Sequence, residues 1–150
     1  MHSTAAFQAQ NPDYAAMVRA SFARQGLMRT LGVELIEVTP GTCTLAAAAD
    51  PRLTQQHGRF HGALIGAMLD SAGGYAAYSL MPAGSEVLTT EYKVNFIAAA
   101  AGERLIARGR VIRPGRTITV TMAEASCVRD GVEHACAIML QSLIRVSAAR

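Results

Sequence analysis

Between Gly62 and Met81 the chain runs for twenty residues, GALIGAMLDSAGGYAAYSLM, in which Asp70 is the only acid or base apart from two tyrosines. So long a run far exceeds the usual strand of about five or six residues and reads as a helix. Pro82 stops it. Leu64, Ile65, Met68, Leu69, Ala72, Tyr75 and Ala76 cover most directions around its axis, as in a helix enclosed by a sheet and a partner. One turn to either side of Asp70 stand Gly66, Ala67, Gly73 and Gly74, a nearly bare face that something can approach closely. Two plainer readings compete. A membrane span is set aside because of the mid-span acid, the glycines and the lack of a basic far flank. In the other, the glycines serve only tight packing and Asp70 caps or pairs with a neighbour.

The chain's 150 residues are 51% hydrophobic and 17% charged, the balance of one globular domain with a substantial core. A single domain over 1–150 is expected, with a helical extension over 1–30. The opening residues MHSTAAFQAQNPDYAAM hold no basic region followed by an apolar run, so no signal peptide is expected and the location defaults to the cytoplasm. Cys43, Cys127 and Cys136 are odd in number and lack metal-type spacing, so they read as reduced, packed thiols, and no metal is expected. A net charge of +3 with only 5% aromatics is poor material for a nucleic-acid face. Arg104, Arg108, Arg110, Arg113 and Arg116 crowd into one short stretch. They suit an anionic, phosphate-bearing ligand or, equally, a solvated strand face.

Asn11-Pro12-Asp13 reads as a helix start, and the helix runs to about Gln25, where Gly26 ends it. Val33–Val38, a Pro40-Gly41 turn and Thr42–Ala49 form a hairpin. Asp50–Phe60 is polar and delivers the chain to the long helix as a candidate binding loop. Beyond Pro82, LTTEYKVNF alternates, with Leu88, Thr90, Tyr92, Val94 and Phe96 on one face and Thr89, Glu91, Lys93 and Asn95 on the other, a half-buried strand. Arg104–Ile112, Thr117–Val128 and Val132–Val146, punctuated by Pro114-Gly115 and Asp130-Gly131, supply three more. The pattern predicts an α+β fold: a curved antiparallel sheet, its four long strands in meander order, wrapped around one central helix.

Gly62 falls at the helix start, where its backbone N–H has no intrahelical partner and the helix dipole stands behind it, a ready site for an oxyanion. Asp70, eight residues on, is roughly 12 Å away along the axis. It cannot easily reach a small group held at Gly62 of its own chain. Two copies of the helix packed antiparallel would bring Asp70 of one beside Gly62 of the other, so the spacing predicts a dimer with two composite sites.

Gln55, His61-Gly62, Asp70, the strand LTTEYKVNF with Gly102-Glu103 after it, and the GRVIRPGRT turn together resemble the hotdog-fold acyl-CoA thioesterases of the phenylacetic-acid-degradation type, over roughly residues 31 to 146. The resemblance implies a hotdog domain, dimers often paired into tetramers, and hydrolysis of an acyl-CoA to a carboxylate and free CoA without metal or separate cofactor. It further implies a role for each motif residue: the Gly62 N–H polarises the thioester carbonyl, Gln55 holds substrate or water, and His61 supports the loop and the thioester. Asp70 of the other subunit acts as general base or nucleophile, with Thr89 orienting the water. Such chemistry needs only a polarised carbonyl and a positioned carboxylate. Arg113 and Arg116, flanking a hairpin turn, are the candidates for CoA phosphates. Ala63 stands where relatives carry a second glycine and narrows the space near the thioester; Gln55 replaces a frequent asparagine. Two alternatives stay open: a non-catalytic acyl-CoA binding or sensing module on the same fold, and a hotdog dehydratase or hydratase, which a lone mid-helix Asp70 fits poorly. Tyr75, Tyr78, Met68, Met81 and Phe96 would suit an apolar acyl pocket, yet any core uses such residues.

Overall fold

In the computed structural model, which describes residues 7–147, the apolar run becomes a helix, α3 (Gly62–Tyr78). It is three residues shorter than expected. The Ser79 hydroxyl donates back to the Ala76 carbonyl at 2.7 Å and accepts the Gly41 N–H at 2.8 Å, drawing the last turn out of the helical ladder. Leu80 and Met81 then follow with tighter bonds to Ala77 and Tyr78, as helix ends commonly do. Among the described residues no helix is long and apolar enough to cross a membrane.

Among the described residues six strands surround this axis: β1 (Val33–Thr39), β2 (Thr42–Ala48), β3 (Ser85–Phe96), β4 (Arg104–Arg113), β5 (Ile118–Arg129) and β6 (Val132–Ser147). They form one antiparallel sheet in the order β1-β2-β4-β5-β6-β3, and α3 touches all six. The architecture expected from the sequence is present; the strand order is not a four-strand meander. Only β4, β5 and β6 follow one another. One edge of β4 belongs to β5 and the other to β2, so β3 finds its partner in β6 and ends as a sheet edge, with β1 as the other. The chain between Ile97 and Glu103 then crosses back to β4. Two tight turns act as the sequence suggests. Gly41 sits at φ 84° after Pro40, as the second central residue of a type II turn requires, and Asp130 and Gly131 are both left-handed at 51° and 75°, the signature of a type I′ hairpin.

A second correction concerns β3. A bulge between Thr89 and Glu91 inserts one residue and reverses the alternation. Leu88, paired with Ile144, therefore faces away from α3, while Thr89, paired with the buried Leu143, faces it. After the bulge Tyr92, Val94 and Phe96 face α3 too, opposite Gln141, Met139 and Ala137. The strand is also less covered than half-buried: Leu88, Tyr92 and Phe96 are each at least half exposed. Among the described residues nothing pairs with the free edge of this strand or covers these side chains.

Among the described residues the N-terminal region holds two helices where one was expected, α1 (Tyr14–Ala23) and α2 (Gly26–Thr30). Asn11 keeps its capping bond, its Oδ1 accepting the Asp13 N–H at 3.0 Å, but regular helix begins only at Tyr14. The first helix stops earlier than expected, at Ala23 with Arg24 as its C-cap, and Gly26 opens the second, which is too short to show a period. The first six residues of the expected extension over 1–30 lie outside the described residues. The core is formed by Met68 and Leu69 of α3 against Leu45, Leu105, Met139 and Leu143 of the sheet, all essentially inaccessible to water; each such side chain contributes about 1.5–3 kcal/mol by burial. Where β4 crosses under α3, Gly109 touches helix backbone: a Cβ there would lie 2.3 Å from the Ala72 carbonyl. That contact sets how closely the helix can sit on the sheet.

Candidate active site

The loop before α3 is built to fix the helix start. Phe60 is buried as an anchor, and its N–H donates to Ala100 while that of His61 donates to Leu53, both at 2.9 Å. His61 is the N-cap: its Nδ1 accepts the Ala63 N–H at 2.9 Å, so the neutral ring carries its proton on Nε2. Gly62 is then the first helical residue. Among the described residues no acceptor meets its N–H, which stays available at the positive end of the dipole. The exposed ring of Phe96 lies over this glycine; a Cβ at position 62 would come within 3.2 Å of its Cζ.

Two turns along the helix, Asp70 is half-buried and fastened from below. Thr89 Oγ1 donates to its Oδ1 at 2.6 Å, and Gln141 Nε2 donates to the same oxygen. Gln141 also reaches the Asp70 backbone carbonyl at 3.0 Å and Thr89 Oγ1 at 3.1 Å. Its own Oε1 accepts from Thr121 Oγ1 at 2.9 Å. Gln141 and Thr121 are 1% and 0% exposed, so this is a buried, satisfied polar network beneath one surface carboxylate, the arrangement that rigidifies a site. Among the described residues, Asp70 Oδ2 takes no hydrogen bond.

Cavities meet at Asp70. One of about 460 Å³ runs along α3 from Gly62 and Ala63 past Gly66 and Ala67 to Asp70, walled by Leu27 and Met28 of α2 and by Tyr92, Val94 and Phe96 of β3. A second, of about 410 Å³, continues beyond Asp70 among Ser21, Arg24, Gln25, Tyr75, Glu86 and Thr89. Its floor is ordered: Gln25 Nε2 donates to the Tyr75 hydroxyl at 2.9 Å, with Ser21 Oγ 3.3 Å from the same oxygen, and burial raises the Tyr75 phenol above its ordinary range. The free N–H at one end of this groove can polarise a carbonyl, and the fixed carboxylate eight positions on can deliver a water to a carbonyl or attack it directly. Among the described residues no cluster of three or more side chains that hold metals occurs.

The sequence profile described as "Thioesterase superfamily" matches residues 57–134, from the helix-start loop through α3 into β6. The chain belongs to the thioesterase superfamily. A thioesterase family protein from Silicibacter pomeroyi has 48% identical residues and superposes with a TM-score of 0.88 over 90% of this chain and 99% of that one. A Halobacterium salinarum protein provisionally named an esterase is 32% identical over 121 residues, 77% of this chain and 78% of its own length. The E. coli PaaI protein of the phenylacetic acid degradation operon, at 18% identity, shares the fold, with a TM-score of 0.81 over 94% of this chain and 99% of that one. The fold is the hotdog, and hydrolysis of a thioester or ester is the general activity that goes with this membership.

Placed on this thioesterase, the residues singled out from sequence divide. Gly62, Ala63 and Asp70 line one groove, and Thr89 touches Asp70. The exposed His61 acts on the helix backbone through its Nδ1. Gln55 is folded back into its own loop, its Oε1 accepting the His57 N–H while its backbone bonds Arg59 and Gly58; it does not line the groove. Arg113 and Arg116 lie exposed around the β4–β5 turn, and neither lines the cavities at Asp70. Nor is the bare helix face uniform. Gly66 has open space around it, but Gly73 faces the sheet, where a Cβ would run into Gln141 Oε1. Sequence reading missed Gln141, Thr121 and Gln25. Gln141 had a signal: it stands in phase with Ala137, Met139 and Leu143 on the buried side of β6, where a lone polar residue requires a reason.

Proposed function

We propose that the protein is an acyl-CoA thioesterase, splitting an acyl-CoA into a carboxylic acid and free CoA at sites shared by two copies of the chain. The observation that carries this reading is a carboxylate pinned through one oxygen by Thr89 and Gln141, in a groove that begins at a free helix N-terminal N–H. The thioester carbonyl oxygen accepts the Gly62 N–H of one copy. Asp70 of the other copy takes a proton from water as the water oxygen bonds to the carbonyl carbon. The C–S bond then breaks and the CoA thiolate receives that proton. In the nucleophilic version Asp70 Oδ2 bonds to the acyl carbon first, CoA leaves, and water cleaves the mixed anhydride. Thr89 serves both versions by holding the carboxylate. The bare apolar side and free edge of β3 support a second copy lying against this groove. Pairing of dimers into tetramers, a cytoplasmic location, no metal or separate cofactor, and contact of Arg113 and Arg116 with CoA phosphates belong to the same reading.

Release of free thiol from a panel of short, medium, long and aromatic acyl-CoAs tests it. Turnover of at least one thioester is expected, with Asp70→Asn slower by about 10²–10⁴-fold, the usual weight of a positioned acid–base group. Binding of acyl-CoA without thiol release, or full activity in Asp70→Asn, would defeat it. Arg113→Ala and Arg116→Ala should raise KM and leave kcat in place.

A further inference from the structure

We propose that Gln141 is a positioning residue that decides which oxygen of Asp70 works; this rests on Asp70 being the catalytic carboxylate. The amide has one possible orientation. Both Asp70 Oδ1 and the Asp70 backbone carbonyl accept hydrogen bonds only, so the side facing them is Nε2. Its two N–H bonds are shared among those two oxygens and Thr89 Oγ1. The other end of the amide is held by Thr121 Oγ1 at 2.9 Å, and the whole side chain is 1% exposed. The helix leaves room for it at one residue: a Cβ at Gly73 would stand 2.0 Å from Gln141 Oε1 and 2.8 Å from Thr121 Oγ1.

The consequence is geometric. The terminal torsion of an aspartate is broad, so an unheld carboxylate presents either oxygen. With Thr89 and Gln141 both donating to Oδ1, the torsion is fixed and Oδ2 is the oxygen left for water or for the acyl carbon. Reaction rates fall steeply when a reacting group loses such orientation. Gln141 touches Asp70 and not the substrate, so its loss acts on turnover and not on binding.

Three variants test this, assayed on the acyl-CoA that the wild-type oligomer hydrolyses fastest, with thermal midpoint and elution volume measured alongside. Gln141→Met keeps length and volume but removes the amide. It should fold and lose about ten- to a hundredfold in kcat, the weight of a hydrogen bond to a charged group, with KM within about twofold of wild type. Thr121→Val, which frees Oε1 while leaving Asp70 and Gln141 in the chain, should lose roughly three- to tenfold in kcat, and Thr121→Ser should recover wild-type turnover. A packing role alone would lower the midpoint without the selective loss of kcat or the serine rescue. A folded Gln141→Met with wild-type kcat overturns the proposal, as does a loss confined to KM. Should Gln141→Met not fold, wild-type kcat in Thr121→Val overturns it. If Asp70→Asn is itself fully active, the underlying reading of Asp70 fails instead; an inactive Asp70→Asn beside an unimpaired Gln141→Met sinks this inference alone.

Discussion

Thr89 meets Asp70 through one short bond, its hydroxyl donating at 2.6 Å while accepting from Gln141. Replacing it by valine keeps the β-branched shape in β3 and removes the donor. About 1.5–3 kcal/mol, the usual worth of a hydrogen bond to a charge, should then disappear from the transition state, so kcat falls roughly ten- to a hundredfold. Steady-state kinetics of Thr89→Val checks it. The cysteines make the opposite kind of prediction. Cys43, Cys127 and Cys136 are each 1% exposed, and burial pushes the Cys43 thiol up to about 12, so it carries no thiolate at neutral pH. Native protein should be silent towards a thiol reagent and should titrate three thiols when denatured. Asp70 was legible in the sequence because an acid alone in a long apolar run requires a partner. Its partners were less so: Thr89 looks like any strand residue and is singled out only by the family resemblance, and Gln141 lies 71 positions away, joined to Asp70 only by folding.

The elements were legible where periodicity and punctuation agree. α3, the type II turn at Pro40-Gly41 and the type I′ turn at Asp130-Gly131 all follow from local chemistry. The pairing of β3 with β6 does not, because it depends on which strand edges the rest of the sheet has already taken. The bulge at Thr89/Glu91 was equally hidden, yet it turns Thr89 and Tyr92 to the same face. Gly109 was passed over as one more strand residue, although it sets the spacing between β4 and α3. Gly109→Ala places a methyl 2.3 Å from the Ala72 backbone, where no side chain can yield. Overpacking of this kind costs about 1–3 kcal/mol, so the melting midpoint should drop by roughly 2–12 °C in a chain of this size. Calorimetry of the purified variant reads it directly.

At the scale of the molecule, one chain holds every group the chemistry needs but spreads them along a helix. Gly62 and Asp70 stand eight positions apart, and β3 presents Tyr92 and Phe96 to solvent at 50% and 54% exposure. In the proposed dimer a second copy would resolve both features, covering the apolar strand and bringing its own Asp70 to the first copy's Gly62. Position 62 also offers a direct lesion, the added Cβ meeting only the exposed ring of Phe96, which can turn aside. It is the first helical residue, where proline is favoured, and His61 before it is already extended at φ −68°, ψ 139°, as a residue preceding proline must be. Gly62→Pro should therefore remove the N–H while keeping the helix start, at a loss of about 10²–10³ in kcat. The shared site is then tested by co-expressing Gly62→Pro and Asp70→Asn chains under different tags and isolating dimers that carry both. Each homodimer should be nearly inactive. The hybrid joins an intact Gly62 of one chain to an intact Asp70 of the other and should recover about half of the wild-type rate; a hybrid no more active than its parents would show that each chain works alone.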